Sequence, residues 1–289
     1  MHLDIHNTMA AADVRIDWPL AVGTNYVIVV PEGVTEISKD FFEGILFRNG
    51  RIKDPKQAQV VAIELPNSLI EIPRELFADN ETLTTVTIGN GVKRIHVSAF
   101  CGCTRLKTVI MRSGGGTDLT IGSSAFENCA SLERVEFPDN LTVLGSAAFS
   151  GCKRLKTVIM RPGGGIDLTI GSNAFKNCES LERVEFTDNL SVIELAAFSG
   201  CVKLPSFTIP NRVSCIEGYA FSGCTGLKTV TISSDAAIQE RCFMGCSSLT
   251  TVNFTLEKIP SLGRNAFEEC TSLVVDPNWA GRFTTVAGG

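Results

Sequence analysis

Histidine, tryptophan and tyrosine are nearly missing from this chain: 289 residues contain 3 His, 2 Trp and 2 Tyr. The histidines are His2, His6 and His96. No serine–histidine–acid or cysteine–histidine–acid arrangement has a motif around it, so nucleophilic hydrolysis has no candidate residues. His2 and His6 supply two ligands at most, which does not close a zinc site. A basic surplus is lacking too, with 26 Lys and Arg against 31 Asp and Glu and a net charge of -5. Nucleic-acid binders carry the opposite balance on at least one face. No apolar run reaches the length of about 18 residues that a membrane-spanning helix needs, so no membrane insertion is expected. The start, Met1-His2-Leu3-Asp4-Ile5-His6, has neither the basic segment nor the apolar segment of a secretory signal, and the expected compartment is the cytoplasm. The triple-glycine runs Gly114–Gly116 and Gly163–Gly165 lack the Gly-Lys-Ser/Thr ending of a phosphate loop and are read as edge loops. These absences leave no catalytic residue, no metal site and no cofactor to name, and an enzyme is not expected.

What the chain has is repetition. The phrase Ala-Phe-x-x-Cys returns with its phenylalanine at Phe100, Phe126, Phe149, Phe175, Phe198, Phe221, Phe243 and Phe267, and less regular copies place it at Phe42 and Phe77. From Phe77 the gaps are 23, 26, 23, 26, 23, 23, 22 and 24 residues. Each unit has three pieces, shown by Leu132–Pro138, Leu141–Gly145 and Ala148–Cys152. The first alternates apolar and polar residues, the pattern of a strand with one buried face, and Pro138, Asp139 and Asn140 end it as turn residues do. The second is a short extended stretch. The third is too short for an independent helix and is read as a single turn held by its neighbours. One unit cannot bury its own apolar side, so the units must stack. Residues 105–152 and 154–201 are a near-duplicate block offset by 49 positions, with 10 differences.

These residues and their spacing resemble the BspA-like class of leucine-rich repeats over about residues 25–275. The resemblance implies an α/β, β-dominated solenoid. A curved parallel sheet would line the concave side, with short turns and single-turn helices on the convex side. About ten coils are expected over residues 26–275, with residues 1–25 as an N-terminal cap and 276–289 as a C-terminal tail or cap. A basic insertion at 46–58, carrying Arg48, Arg51, Lys53 and Lys56, interrupts the first coil. The family context implies protein contact or surface adhesion.

Cysteine is abundant, at 11 residues. Cys103, Cys129, Cys152, Cys178, Cys201, Cys224, Cys246 and Cys270 each follow the repeat phenylalanine by three positions. A disulfide ladder or a metal array would need every thiol. Asn80 and Ile45 fill the same slot in earlier coils, and neighbouring column cysteines lack the short spacing of zinc-ligand pairs. The column is therefore read as small, reduced, packed side chains.

The outward strand positions hold the candidate binding site. One column reads Lys107, Glu133, Lys156 and Glu182, alternating charges that would neutralise one another across strands. Another reads Thr87, Ile110, Glu136, Ile159, Glu185, Thr208, Thr231 and Asn253, with Arg134 and Arg183 beside it. Ile110 and Ile159 are expected to face solvent among polar groups, the usual make-up of an interface centre. The candidate partner-binding residues are Ile110, Arg134, Glu136, Ile159, Arg183, Glu185, Thr208 and Thr231. The expected function is non-enzymatic protein–protein binding through the concave sheet. Alternatives are a surface or secreted adhesin meeting carbohydrate or a cell surface, and the recognition part of a larger effector or enzyme. A solenoid end needs a cover, and Pro277, Trp279 and Phe283 suit that role. Deleting residues 276–289 is expected to promote end-to-end association. A monomer by light scattering after that deletion would show that the tail is no cap.

Overall fold

A computed structural model describes residues 15–17, 25–38, 59–114, 116, 118–161, 167–186, 188–233, 235–255 and 261–274. The expected basic insertion at 46–58, the tail at 276–289 and most of the cap at 1–25 lie outside the described residues. Strands are numbered along the chain. The first wall of the stack holds β1 (Arg15–Asp17), β2 (Asn25–Val29), β3 (Gln59–Glu64), β5 (Thr85–Ile88), β7 (Thr108–Met111), β9 (Arg134–Phe137), β11 (Thr157–Met160) and β13 (Arg183–Glu185). It continues, in a separate sheet, as β15 (Ser206–Ile209), β17 (Thr229–Ile232) and β19 (Thr251–Phe254). The second wall is one eight-stranded sheet: β4 (Glu71–Ile72), β6 (Arg94–Ile95), β8 (Leu119–Ile121), β10 (Leu141–Leu144), β12 (Leu168–Ile170), β14 (Leu190–Ile193), β16 (Cys215–Ile216) and β18 (Ala237–Ile238). All these pairings are parallel except that of β1 with β2, which is antiparallel. Eight turns thus carry a strand in both walls, and β2 and β19 begin and end the series with a first-wall strand alone. The stack is a leucine-rich-repeat solenoid.

The third wall corrects an expectation. Among the described residues there is no helix, single-turn or longer. The Ala-Phe-x-x-Cys segment instead makes two overlapping turns, as Cys101 N–H donating to the Ser98 carbonyl and Cys103 N–H to the Phe100 carbonyl show in one coil. Between these, alternate amides reach the next coil: Ser98 donates to Ser123, Phe100 to Ala125, and Gly102 to Glu127. The same three-rung link recurs at Ala147, Phe149 and Gly151, and again at Ala196, Phe198 and Gly200. Aiming these amides along the stack requires positive φ two residues before and two after the phenylalanine. The position after it holds Asp79, Gly102, Asn128, Gly151, Asn177, Gly200, Gly223, Gly245 and Glu269, all with φ between 56° and 76°. Glycine, asparagine and aspartate tolerate that region best. A helical turn would have satisfied its own backbone; this wall satisfies its neighbour's.

The core is built of columns. Rings from Phe77 through Phe267 stack in successive coils with centroids 5.0–5.7 Å apart and planes within 19°. That separation is close to the spacing of about 4.8 Å between paired strands, so one register serves backbone and aromatic packing together. Leu106, Leu132, Leu155, Leu181, Leu204, Leu227 and Leu249 form a second, fully buried column. Close approach of coils decides some small residues. A Cβ at Gly145 would lie 2.7 Å from the Gly122 carbonyl carbon, a distance real side chains do not reach.

The cysteine column does more than fill space. Each thiol donates to the backbone carbonyl of the phenylalanine one coil earlier: Cys103 to Phe77 at 3.1 Å, Cys152 to Phe126 at 3.2 Å and Cys201 to Phe175 at 3.3 Å. That carbonyl already accepts the amide of its own coil's cysteine, as Phe126 does from Cys129. A small side chain with a weak donor satisfies the remaining lone pair of a buried carbonyl. In the Asn80 coil the slot works differently, and the Asn80 carboxamide oxygen accepts the amides of Thr82 and Leu83.

Burial pushes the Cys103 and Cys201 thiols from an ordinary value of 9.0 up to about 12. In the unfolded chain the same thiols ionise from about pH 9. Their contribution to stability is therefore complete below about pH 9 and is lost as pH rises toward about 12. The native protein should react with a thiol reagent only at the half-buried Cys101, Cys215 and Cys270, and its melting temperature should fall steadily above pH 9. Rapid native labelling of Cys129, Cys152 or Cys178 would contradict the packing of the column.

Candidate functional site: the outer face of the first wall

Alternation along the first-wall strands sends Val109 and Met111 inward from β7, and Val135 and Phe137 inward from β9. The residues between them point outward. Register then assembles the face: Thr157 lies between Arg134 and Arg183, and Ile159 between Glu136 and Glu185. Ile110 joins through a single register pair between β7 and β9, Thr108 with Arg134. Six of the eight candidate residues, Ile110, Arg134, Glu136, Ile159, Arg183 and Glu185, thus share one continuous sheet. Thr208 and Thr231 pair with each other on the other sheet, across a break.

The two isoleucines differ, against the expectation that both are open to solvent. Ile110 is 47% exposed, whereas Ile159 is half-buried. Ile159 has a long glutamate in register on each side. Ile110 has no such close flank toward β9, because pairing there stops after Thr108. Thr87, expected at the surface, is buried, being a short side chain set between Glu64 and Ile110 in register.

Prolines explain where the sheet fails. The residue directly after a first-wall strand normally donates to the preceding coil: Arg112 to Ile88, Arg161 to Phe137, Ser233 to Ile209 and Thr255 to Ile232. After β9 that residue is Pro138, and after β15 it is Pro210. The residue directly before a strand also donates, as Lys107 does to Thr84 and Lys156 to Glu133, and before β15 that residue is Pro205. Proline has no N–H for the ladder. Between β7 and β9 the rung at Pro138 is missing and Glu133 makes no backbone bond to a described residue of the coil before, so only Thr108 and Arg134 pair; between β13 and β15 both flanking positions of β15 are proline and the strands do not pair. Val184 and Phe186 beside that break are half-buried, while their counterparts Val135 and Phe137 are fully buried. The other walls run across it unbroken, through Val192 with Cys215 and through the Phe198 amide on Ala220.

The splay between β7 and β9 opens a groove of about 530 Å³ lined by Lys107, Thr108, Val109, Ile110, Met111, Glu133, Arg134, Glu136 and Arg161. Inside it, one carboxylate holds two guanidiniums. Glu136 accepts from Arg134 Nη2 at 3.0 Å and from Arg161 Nε at 2.8 Å, and Arg161 Nη2 lies 2.6 Å away in the same ion pair. The hydrogen bond from Arg134 and then that from Arg161 hold the Glu136 carboxyl below its ordinary value. Arg183 and Glu185 form a similar pair on β13. The charge ladder expected in the neighbouring column is only partly made. Lys156 approaches Glu133 at 4.0 Å, and Lys107 makes no ion pair with any described residue. Exposed pairs of this kind contribute about 0–1 kcal/mol, so they order the face rather than stabilise the fold. Arg161 and the groove itself were not singled out from the sequence, and Lys107 was read only as a member of the charge column. Pro138 was the available signal, since a proline ending one strand weakens its join to the strand before.

A family profile described as "BspA type Leucine rich repeat region" matches residues 26–156 and 168–275, in 6 copies. The chain belongs to the BspA-type leucine-rich-repeat family. Members of this family are generally interaction or surface-associated proteins, and generally not enzymes. Among solved structures, a leucine-rich repeat protein from Bacteroides ovatus is 26% identical, with 90% of this chain and 80% of that chain covered and a TM-score of 0.49. The T. pallidum leucine-rich repeat protein is 19% identical over 97% of this chain and 96% of that chain, at a TM-score of 0.42. The pneumococcal vaccine antigen PcpA is 14% identical over 94% of each chain, at a TM-score of 0.47. No curated protein matches the chain.

A carboxylate whose pKa is depressed by paired arginines contributes above its unfolded value and loses that contribution as pH falls through the folded one. An NMR titration of the Glu136 side chain should therefore show a midpoint below the ordinary carboxylate value in this BspA-type protein. It should rise in Arg134→Gln and rise further in Arg134→Gln with Arg161→Gln. An unchanged midpoint in the double variant would show that the guanidiniums do not hold Glu136.

Proposed function

We propose that this protein is a non-enzymatic binding module that takes a protein partner on the outer face of the first wall, centred on β7, β9 and β11. One observation carries the proposal. A large aliphatic side chain, Ile110, stands 47% exposed beside a groove whose two arginines are already held in place by Glu136. Interfaces concentrate their energy in a few central residues surrounded by weaker polar contacts. The arrangement supplies an apolar anchor, a polar rim of Arg134, Arg183 and Glu185, and side chains ordered before binding, which lowers the entropic cost of association. The near-copy Ile159 extends the same column on β11 with a smaller exposed area. Thr208 and Thr231 extend the wall beyond the break and belong to the rim if the partner is long enough to cross it.

The test compares Ile110→Asp with Val143→Asp. Val143 is 41% exposed but lies on the second wall, so it controls for surface charge. Both variants should keep their melting temperatures within a few degrees, because neither position is in the core. A partner recovered with the wild-type chain should be lost from Ile110→Asp and retained by Val143→Asp. Retention by both would end the proposal for this face.

A further inference from the structure

We propose that the groove between β7 and β9 recognises an extended, carboxylate-bearing stretch of the partner polypeptide, with an acidic side chain seated between Lys107 and Arg134 and an adjacent apolar side chain against Ile110. The inference rests on the reading of this face as the binding surface and adds the chemistry of the ligand.

Shape comes first. Pro138 cannot donate toward β7, Glu133 makes no backbone bond to a described residue of the preceding coil, and the two strands share only the pair Thr108 with Arg134. The space of about 530 Å³ lies within the range of ligand clefts. It is bounded by strands, so an extended chain fits its direction better than a compact group does. Its floor is Val109 and Met111 and its rim is Ile110, which favours an apolar side chain at one point.

Charge decides the rest. The groove is lined by the cations Lys107, Arg134 and Arg161 and the anions Glu133 and Glu136. Each anion is already engaged. Glu133 faces Lys156, and both Glu136 oxygens accept from guanidiniums. Lys107 makes no ion pair among the described residues, and it precedes the one residue of β7 that is in register with Arg134. Arg134 spends one N–H on Glu136 and has five to offer. An incoming carboxylate therefore meets one unpaired ammonium and one guanidinium with free donors. An incoming cation meets Glu136, both of whose oxygens already accept hydrogen bonds, and Glu133, which has Lys156 at 4.0 Å. On a chain of net charge -5, this local positive balance steers an acidic ligand to the groove and away from the rest of the surface.

A phage-displayed library of random dodecapeptides, panned on the full chain, tests this without knowing the natural partner. Selected peptides should be enriched in Asp or Glu next to Val, Ile, Phe or Tyr. In a synthetic copy of a selected peptide, changing the acidic residue to its amide should weaken binding about tenfold by fluorescence anisotropy. Lys107→Gln combined with Arg134→Gln should have a similar effect while leaving the melting temperature unchanged. Three results would overturn the inference: selected peptides without acidic residues, an amide swap without effect, or indifference to the double variant. Ile110→Ser separates the two levels. If it weakens binding while the amide swap does nothing, the face stands and the carboxylate chemistry falls. If selected peptides ignore Ile110→Ser as well, or if none is selected, both fall.

Discussion

Every coil must fit onto the next at strand spacing, because none can bury its own apolar side. That constraint governs the molecule. The two strand walls meet it with parallel ladders, and the turn wall meets it by sending alternate amides to the following coil. The stacked phenylalanines and the thiol–carbonyl contacts follow the same coil spacing as the backbone rungs, and they persist where the second wall shifts register between β8 and β10 and between β12 and β14. The requirement is cooperative, and it explains why one residue type recurs down a column while the outward columns vary freely.

The same constraint shows why surface features arise where they do. A ladder with every rung made gives a closed, featureless wall. Pro138, Pro205 and Pro210 are the places where the first wall lacks a donor, and they coincide with the groove and with the break between β13 and β15. The second and third walls keep those coils in the stack, so the missing rungs open the outer face without dividing the solenoid. Relief on the surface of such a fold is made by local, tolerated failures of the repeat. The duplicated blocks differ at this point: Pro138, which follows β9, has Thr187 as its counterpart in the second copy.

Much of the candidate site was legible as columns and little of it as contacts. Period-two alternation assigned Ile110, Glu136, Ile159 and Glu185 to one side, and the fixed gap between copies put them in one row. The alternation is silent on how much neighbours cover a residue, so Ile110 and Ile159 read alike although only Ile110 is freely exposed. It is silent also on side chains that reach back from beyond a strand, as Arg161 does to Glu136. The cysteine column was legible as buried packing, which holds for every member except the half-buried Cys270. Its donation to the phenylalanine carbonyl was not, since that contact joins residues 25 to 29 positions apart in different coils.

By itself the sequence determined the repeat, the stacking direction, the strand faces and the family, because each follows from spacing and apolar periodicity within one unit. Only the tertiary structure decided the rest. It replaced the expected single-turn helices with a wall of inter-coil amide bonds, since a backbone group's partner one coil away leaves no local mark on composition. It divided the first wall in two at Pro205 and Pro210, because a rung has two ends and a proline reveals only the missing donor. And it set Glu136 between two guanidiniums beside an open groove, an arrangement that depends on how three successive coils lie against one another in space.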